Sequence, residues 1–368
     1  MLKRFAVFLA VFQSILFLAH FFLFETVVYA LEPPGSVIVP LAIALAILSV
    51  TFLGASLLAF RYFNFWVRGL YIVGAVWLGA FNYLIMAAFA WWIVYGAFFY
   101  AGVDFPLRGL GFALFGIALA TGVYGVVNAA WLRVKRANVK LAGLPEAWKG
   151  RTVALVSDLH LGNVRNTGFT RRVVRKISVA QPMLVMIAGD LFDGTAVNAE
   201  KAAAPLAELR PALGVFFSEG NHEEFGDPER FLAAIRKAGV RVLDNEILNI
   251  EGLQLIGVPY RQATHAEHLR SVLAGMGIER ERASILLTHA PDRPQVAEEA
   301  GISLQVSGHT HRGQFFPYTW ITKRMYGQFV YGLSVVGGLQ VYTSSGAGTW
   351  GPPLRVGSKP EIVLLTLQ

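Results

Sequence analysis

Two kinds of hydrophobic patterning divide the 368-residue chain. Over the first third, apolar residues run on with no polar period. Stretches at 5–30, 37–60, 69–100 and 109–132 are each long enough to cross a bilayer, for which about 20 apolar residues suffice as a helix. Pro33-Pro34-Gly35 separates the first pair, the link 61–68 the second, and Asp104-Phe105-Pro106 the third. Links this short make successive spans antiparallel neighbours. From Arg151 the pattern changes to short apolar runs alternating with amphipathic stretches. Strands are predicted at 152–157, 183–188, 214–218, 253–258, 284–288 and 304–307, with helices at 170–180, 198–209, 228–238, 266–274 and 293–300. Beyond residue 325 the pattern turns to strands at 327–331, 339–344 and 361–367 with glycine-rich turns. Such alternation predicts a layered α/β domain with buried strands. The expected organisation is a four-helix transmembrane domain at 1–132, a basic connector at 133–150 and an α/β domain at 151–368.

Composition sharpens this division. Only 15% of residues are charged and 55% are hydrophobic, against about 25% charged in an average soluble domain. Residues 1–132 hold five basic residues (Lys3, Arg4, Arg61, Arg68, Arg108) and three acidic ones (Glu25, Glu32, Asp104), leaving 27 basic and 21 acidic beyond. Lys3 and Arg4 precede the first span, Arg61 and Arg68 lie between the second and third, and Arg133, Lys135, Arg136 and Lys140 follow the fourth. Basic loops stay in the cytoplasm, so the expected topology is multi-pass in the inner (cytoplasmic) membrane, with the N-terminus and the C-terminal domain inside. Ionisable groups inside a span mark transport paths. His20 is the one well inside a span, expected near the outer interface or hydrogen-bonded between helices. The spans therefore read as an anchor or a lipid platform. The absence of cysteine excludes disulfides, thiolate catalysis and sulfur-ligated zinc.

The candidate chemistry stands at the strand ends. The strand at 152–157 leads into Asp158-Leu159-His160, that at 183–188 into Gly189-Asp190, and that at 214–218 into Gly220-Asn221-His222-Glu223. The strand at 284–288 ends in His289 and that at 304–307 in Gly308-His309-Thr310-His311. Strand carboxyl ends of an open α/β sheet converge on one crevice, so Asp158, His160, Asp190, Asn221, His289, His309 and His311 are predicted to meet there. Each fragment alone is ordinary turn chemistry; five such strand ends in succession are not. Nitrogen and oxygen donors without sulfur suit a divalent metal of the Mn²⁺, Fe or Zn²⁺ type, with Mn²⁺ the expectation.

In order and spacing these five blocks resemble the calcineurin-like metallophosphoesterase superfamily. The closing Thr343-Ser344-Ser345-Gly346-Ala347-Gly348, followed by Pro352-Pro353-Leu354-Arg355 and Pro360-Glu361-Ile362, looks like its membrane-associated bacterial branch, which includes YkuE-like enzymes and UDP-2,3-diacylglucosamine hydrolases. The resemblance covers residues 150–368 and says little of the four spans. It implies an αββα sandwich with a binuclear metal centre. Asp158, His160 and His311 would hold one ion, Asn221, His289 and His309 the other, and Asp190 would bridge them. It also implies that His222, beside Asn221, protonates or stabilises the leaving oxygen; the other reading of His222 is a histidine that only hydrogen-bonds a ligand. Asp193 is expected to orient a ligand or cap a loop.

Some positions depart from the family pattern. Arg312-Gly313-Gln314 stands where relatives usually carry Gly-Gly-Gln, and Pro259-Tyr260-Arg261 replaces an acidic residue that many relatives have. Arg312 reads either as a contact to a second phosphate or as a surface charge, and Arg165 is a further candidate phosphate contact. The segment 315–326, directly after two ligands, is apolar, aromatic and basic together. It reads either as a membrane-interface lip, with Trp320 dipping and Lys323 and Arg324 meeting lipid phosphates, or as a loop packed on its own domain. The expectation is a membrane-anchored phosphoesterase acting on a phosphate ester or pyrophosphate, with membrane lipids as partners and a lipid, of UDP-diacylglucosamine type, as substrate. The alternatives are a phosphodiesterase on soluble nucleotides or phosphoproteins, and a non-catalytic membrane sensor or scaffold. No nucleic-acid recognition motif is present, and the oligomeric state is left open.

Overall fold

A computed structural model describes residues 2–225 and 227–368, with side chains from Ala6 onward. The side chains of Lys3 and Arg4, used above for orientation, lie outside those described. The chain forms two compact units, Met1–Val127 with Gly351–Leu354, and Asn128–Trp350 with Arg355–Gln368.

The first unit consists mainly of helices Leu2–Leu31, Gly35–Arg61, Phe65–Ala101 and Leu107–Ala130. All four are long and apolar enough to cross a membrane. Asn64 caps the third by accepting from the Val67 amide, and Gly102 closes it at φ 65°, a left-handed geometry that glycine adopts without a Cβ penalty. Across the two links on the other side, Arg108 approaches Glu32 at 4.0 Å. His20 is hydrogen-bonded between helices: its Nδ1 lies 2.7 Å from the Leu16 carbonyl oxygen, its Nε2 accepts from Trp77 Nε1 at 2.9 Å, and its ring stacks on Phe81.

The second unit is built on twelve strands: β1 (Arg133–Val139), β2 (Thr152–Val156), β3 (Leu184–Ala188), β4 (Val215–Ser218), β5 (Arg241–Val242), β6 (Glu246–Ile250), β7 (Leu253–Gly257), β8 (Ser284–Leu287), β9 (Leu304–Ser307), β10 (Gly332–Val336), β11 (Leu339–Thr343) and β12 (Glu361–Leu367). They form two six-stranded sheets, ordered β1-β12-β2-β3-β4-β5 and β10-β11-β9-β8-β7-β6. Alternation along each strand sends successive side chains to opposite faces, and this makes the layers. Val153 and Leu155 of β2 pack with Leu255, Ile285 and Val306 between the sheets. Ala154 and Val156 face outward onto Phe169, Val173 and Ile177 of helix Thr167–Ala180. On the other sheet Leu286 meets Leu269 and Leu273 of helix Ala266–Ala274. The result is the αββα sandwich.

The basic stretch at 133–150, read as a connector, carries β1, which pairs parallel to β12 at the sheet edge. Its charges hid it: a strand with basic residues along an edge lacks apolar alternation, and such charges protect edges from further pairing. The strand expected at 327–331 is instead a short 3-10 turn, Gly327–Val330, and β10 follows it. The segment 315–326 contains a helix, Tyr318–Tyr326, none of whose residues is buried.

Candidate metal centre

The five strand ends come from both sheets, not from one open sheet. β2, β3 and β4 run parallel in the first, and β8 and β9 run parallel in the second. Their loops bring the seven expected ligands together. Ligand atoms of Asp158, His160 and His311 lie within 4.8 Å of one another, as do those of Asp190, His289 and His309. Asp190 also groups with His160 and His222, so it stands between the two sets. The Asn221 side-chain oxygen is 3.1 Å from His289 Nε2, which puts it with the second set. Across the sheets, His289 Nε2 is 3.1 Å from the Asp190 carboxylate, and the His309 amide donates to both Asp158 oxygens at 3.0 and 3.1 Å.

The loops reach this geometry by an unusual backbone. Asp158, His160, Asp190, His309 and His311 all have φ between 47° and 68°. For residues with a Cβ this region costs about 1–3 kcal/mol each, and such outliers cluster where function fixes the geometry. Two glycines allow the close approach. A Cβ on Gly189 would fall 2.6 Å from His289 Nδ1, and one on Gly220 would fall 2.3 Å from an Asp190 oxygen.

Burial and mutual charge decide the protonation states. Burial holds His160 and His311 well below the usual imidazole range. Burial, reinforced by His289, brings His309 down to about 3. These three rings are neutral at pH 7, the form that ligates metals. Burial also opposes a charge on His289, but the Asp190 and Asp158 carboxylates outweigh it and raise that ring to about 10. Burial works to raise Asp190, yet the charge and the hydrogen bond of His289 overcome it and hold the carboxyl well below its ordinary value. Asp158 is pushed up to about 6, chiefly by burial. The donor set therefore faces itself with few protons to share: His160 Nε2 and His311 Nε2 are 2.9 Å apart, and His309 Nδ1 and His289 Nε2 are 3.0 Å apart. Buried nitrogen and oxygen donors so arranged fit cations. Two divalent ions here would clamp phosphoryl oxygens and activate water at neutral pH.

His222 stands against two of the expected ligands, with its ring 4.7 Å from that of His160. Its Nδ1 lies 3.0 Å from the Asp193 carbonyl oxygen and its Nε2 3.9 Å from Asp190. With Nδ1 donating to that carbonyl, Nε2 remains the atom that can carry or release a proton. Asp193 caps its loop: its carboxylate accepts from the Thr195 amide and hydroxyl.

The candidate substrate contacts are more scattered. Arg165 donates to the Ala129 carbonyl and lies over Phe169; among the described residues no hydrogen bond joins it to the ligands. Arg312 is exposed and lies over the Tyr331 ring at 4.6 Å. Trp320, Lys323 and Arg324 are exposed on helix Tyr318–Tyr326. That helix ends beside the centre, with the Tyr326 and His309 rings 6.2 Å apart.

Two buried ionisable side chains carry more of the site than their sequence context suggests. Glu223 is fully buried; one of its oxygens accepts from the Asp190 and Gly220 amides at 2.9 Å each, and the other from the Phe192 amide at 3.1 Å. It ties the β3 and β4 loops together. Burial and then Asp190 push its carboxyl up to about 8 against those donors. Arg355, also fully buried, donates to the carbonyls of His311 and Gly348 at 2.9 and 2.7 Å. Burial lowers it to about 10, so it stays charged at pH 7. The only signals in the sequence were a charged residue directly after Gly-Asn-His and an arginine in a glycine- and proline-rich tail.

The profile of the calcineurin-like phosphoesterases matches residues 151–313. A metallophosphoesterase of Aquifex aeolicus, itself uncharacterized, is 32% identical over 267 residues, 68% of this chain and 98% of that protein. The chain belongs to the calcineurin-like metallophosphoesterases. The metallophosphoesterase YkuE of Bacillus subtilis, also uncharacterized, is 27% identical over 284 residues, covering 71% of this chain and 96% of its own. A transmembrane protein with a metallophosphoesterase domain from Danio rerio is 32% identical over 270 residues, 68% of this chain. The match spans 61% of the fish protein's length. The chain thus joins a metallophosphoesterase domain, of a family that binds a dinuclear metal centre, to four helices long and apolar enough to cross a membrane.

Proposed function

We propose that this metallophosphoesterase works at the cytoplasmic face of the inner membrane on a phosphate ester or pyrophosphate carried by a lipid, of UDP-diacylglucosamine type, with Mn²⁺ as the loaded metal. Asp158, His160 and His311 would hold one ion, and Asn221, His289 and His309 the other, with Asp190 between them. Water adds to phosphorus and the bond to the leaving oxygen breaks. His222 gives that oxygen its proton through Nε2, a role worth about 10²–10⁴-fold, and the Asp193 carbonyl keeps the ring turned for it. Asn221, next in the chain, fixes the loop that carries His222.

The observation that carries the lipid reading is helix Tyr318–Tyr326. Its Trp320, Ile321 and Met325 are 65%, 45% and 72% exposed, beside exposed Lys323 and Arg324. No Asp or Glu occurs between Glu299 and Glu361, so neither the helix nor the chain flanking it carries an acidic side chain. Apolar and basic side chains on one exposed helix suit a lipid–water interface. Replacing Trp320 and Ile321 together with Ser tests it. Each apolar side chain is worth about 1.5–3 kcal/mol when buried, so kcat/KM on a membrane-borne substrate should fall about tenfold or more. Turnover of a small soluble phosphodiester should hold near the parent rate. Equal loss on both substrates, or on neither, would remove the lipid reading and leave soluble nucleotides or phosphoproteins. A reporter fused after Gln368 should behave as cytoplasmic; an external signal would overturn the orientation.

A further inference from the structure

Two exposed aromatic residues flank His222. The Phe225 ring lies 5.1 Å from it, edge to face, and the Trp350 ring 5.8 Å. Both keep much of their surface in solvent, 47% for Phe225 and 61% for Trp350. The backbone of Trp350 is nevertheless fixed. Gln314, itself buried, donates to the Trp350 carbonyl at 3.0 Å and accepts from the Trp350 amide at 2.9 Å. Gln314 is three residues beyond His311, and its own carbonyl accepts from Ser358 Oγ and the Val356 amide. The loop that carries a metal-centre histidine thus also fixes the backbone of Trp350. Phe225 packs closely on Gly194, where a Cβ would fall 2.9 Å from the Phe225 Cβ.

On the reading that His222 serves the leaving oxygen, the atoms attached to that oxygen must pass beside His222, because proton transfer needs hydrogen-bond reach. We infer that Phe225 and Trp350 form a leaving-group subsite that selects esters whose leaving group begins with an apolar portion, either an alkyl chain or a flat ring. The two residues determine specificity for the proposed reaction, and Gln314 positions one of them. This rests on the role given to His222 but not on the lipid reading of helix Tyr318–Tyr326.

Binding of methyl-, butyl- and phenylphosphonate, which are not hydrolysed, to the Mn²⁺-loaded full chain in detergent tests the inference by calorimetric titration. The wild type should bind butyl- or phenylphosphonate about tenfold more tightly than methylphosphonate, the apolar contact supplying the difference. A gain with butyl identifies a chain-accepting subsite, and a gain with phenyl alone a flat-ring one; either supports the inference. In Phe225→Ala, Trp350→Ala and the double variant the ratio should fall toward one. Equal binding of all three ligands by the wild type, or an unchanged ratio in the double variant, overturns it. If the ratio behaves as expected but no phosphate ester is turned over, the leaving-group role of His222 fails while the apolar subsite beside it stands.

Discussion

In the span helices, Ser14, Thr26, Thr51, Ser56 and Thr121 each return their hydroxyl to the carbonyl four residues back, at 2.7–2.8 Å. At the strand ends of the sandwich, buried Asp158, His160, Asp190, His289 and His311 point at one another. The first arrangement satisfies polar atoms locally, as hydrocarbon surroundings require. The second turns their remaining donor atoms toward one another, and holds all of them but His289 on strained backbone. Polar atoms that close on their own helix serve stability; polar atoms that converge from five strand ends serve chemistry.

Asp190→Asn strikes the convergent set hardest. A neutral amide cannot bridge two cations as a carboxylate does, so turnover of an aryl phosphodiester should drop to background and bound metal should fall. Full activity with two metals retained would end the binuclear reading. Glu223→Gln is the next test. One amide NH₂ must then face a backbone N–H inside the β3–β4 loop pair, leaving a buried donor unsatisfied at about 1–3 kcal/mol. Metal affinity should weaken about 10–100-fold in an equilibrium titration. A variant that melts earlier but binds metal as before would assign Glu223 to the fold alone. The smallest effect is expected in the spans. His20→Leu removes the acceptor of Trp77 Nε1, a loss of about 1 kcal/mol in a membrane helix bundle. It should lower Tm slightly and leave metal content and soluble-ester turnover as they were. A change in either readout would mean that the spans do more than anchor.

Among the sequence-level expectations, the strand at 304–307, the strand at 361–367 and the helix at 266–274 match the observed elements to the residue. Their apolar periodicity is complete within each element. β1 escaped because its basic residues sit on an edge strand. β6 carries half-buried residues and presents no continuous apolar run. The helix Tyr318–Tyr326 has no buried face to generate a period. The role of Asp193 was legible, since a carboxylate two residues before Thr195 makes a local turn. Arg165 was not: its partner Ala129 lies 36 residues away.

What the chain determined by itself is set by short-range physics. Span length follows from apolar run length, and strand ends follow from where an apolar run meets Gly, Asp, Asn or His. The kinds of ligand, and the absence of sulfur among them, are composition. Tertiary structure decided the rest. It drew the ligands from two sheets instead of one, turned five of them into left-handed backbone, and buried Glu223 and Arg355 as struts. It also stood Phe225 and Trp350 beside His222. Each of these needs residues far apart in the chain to meet, as Trp350 does with Gln314 and Arg355 with His311. Periodicity within one element carries no record of such a partner, because the free energy that fixes the pair comes from burial and hydrogen bonds that exist only once both sheets have closed.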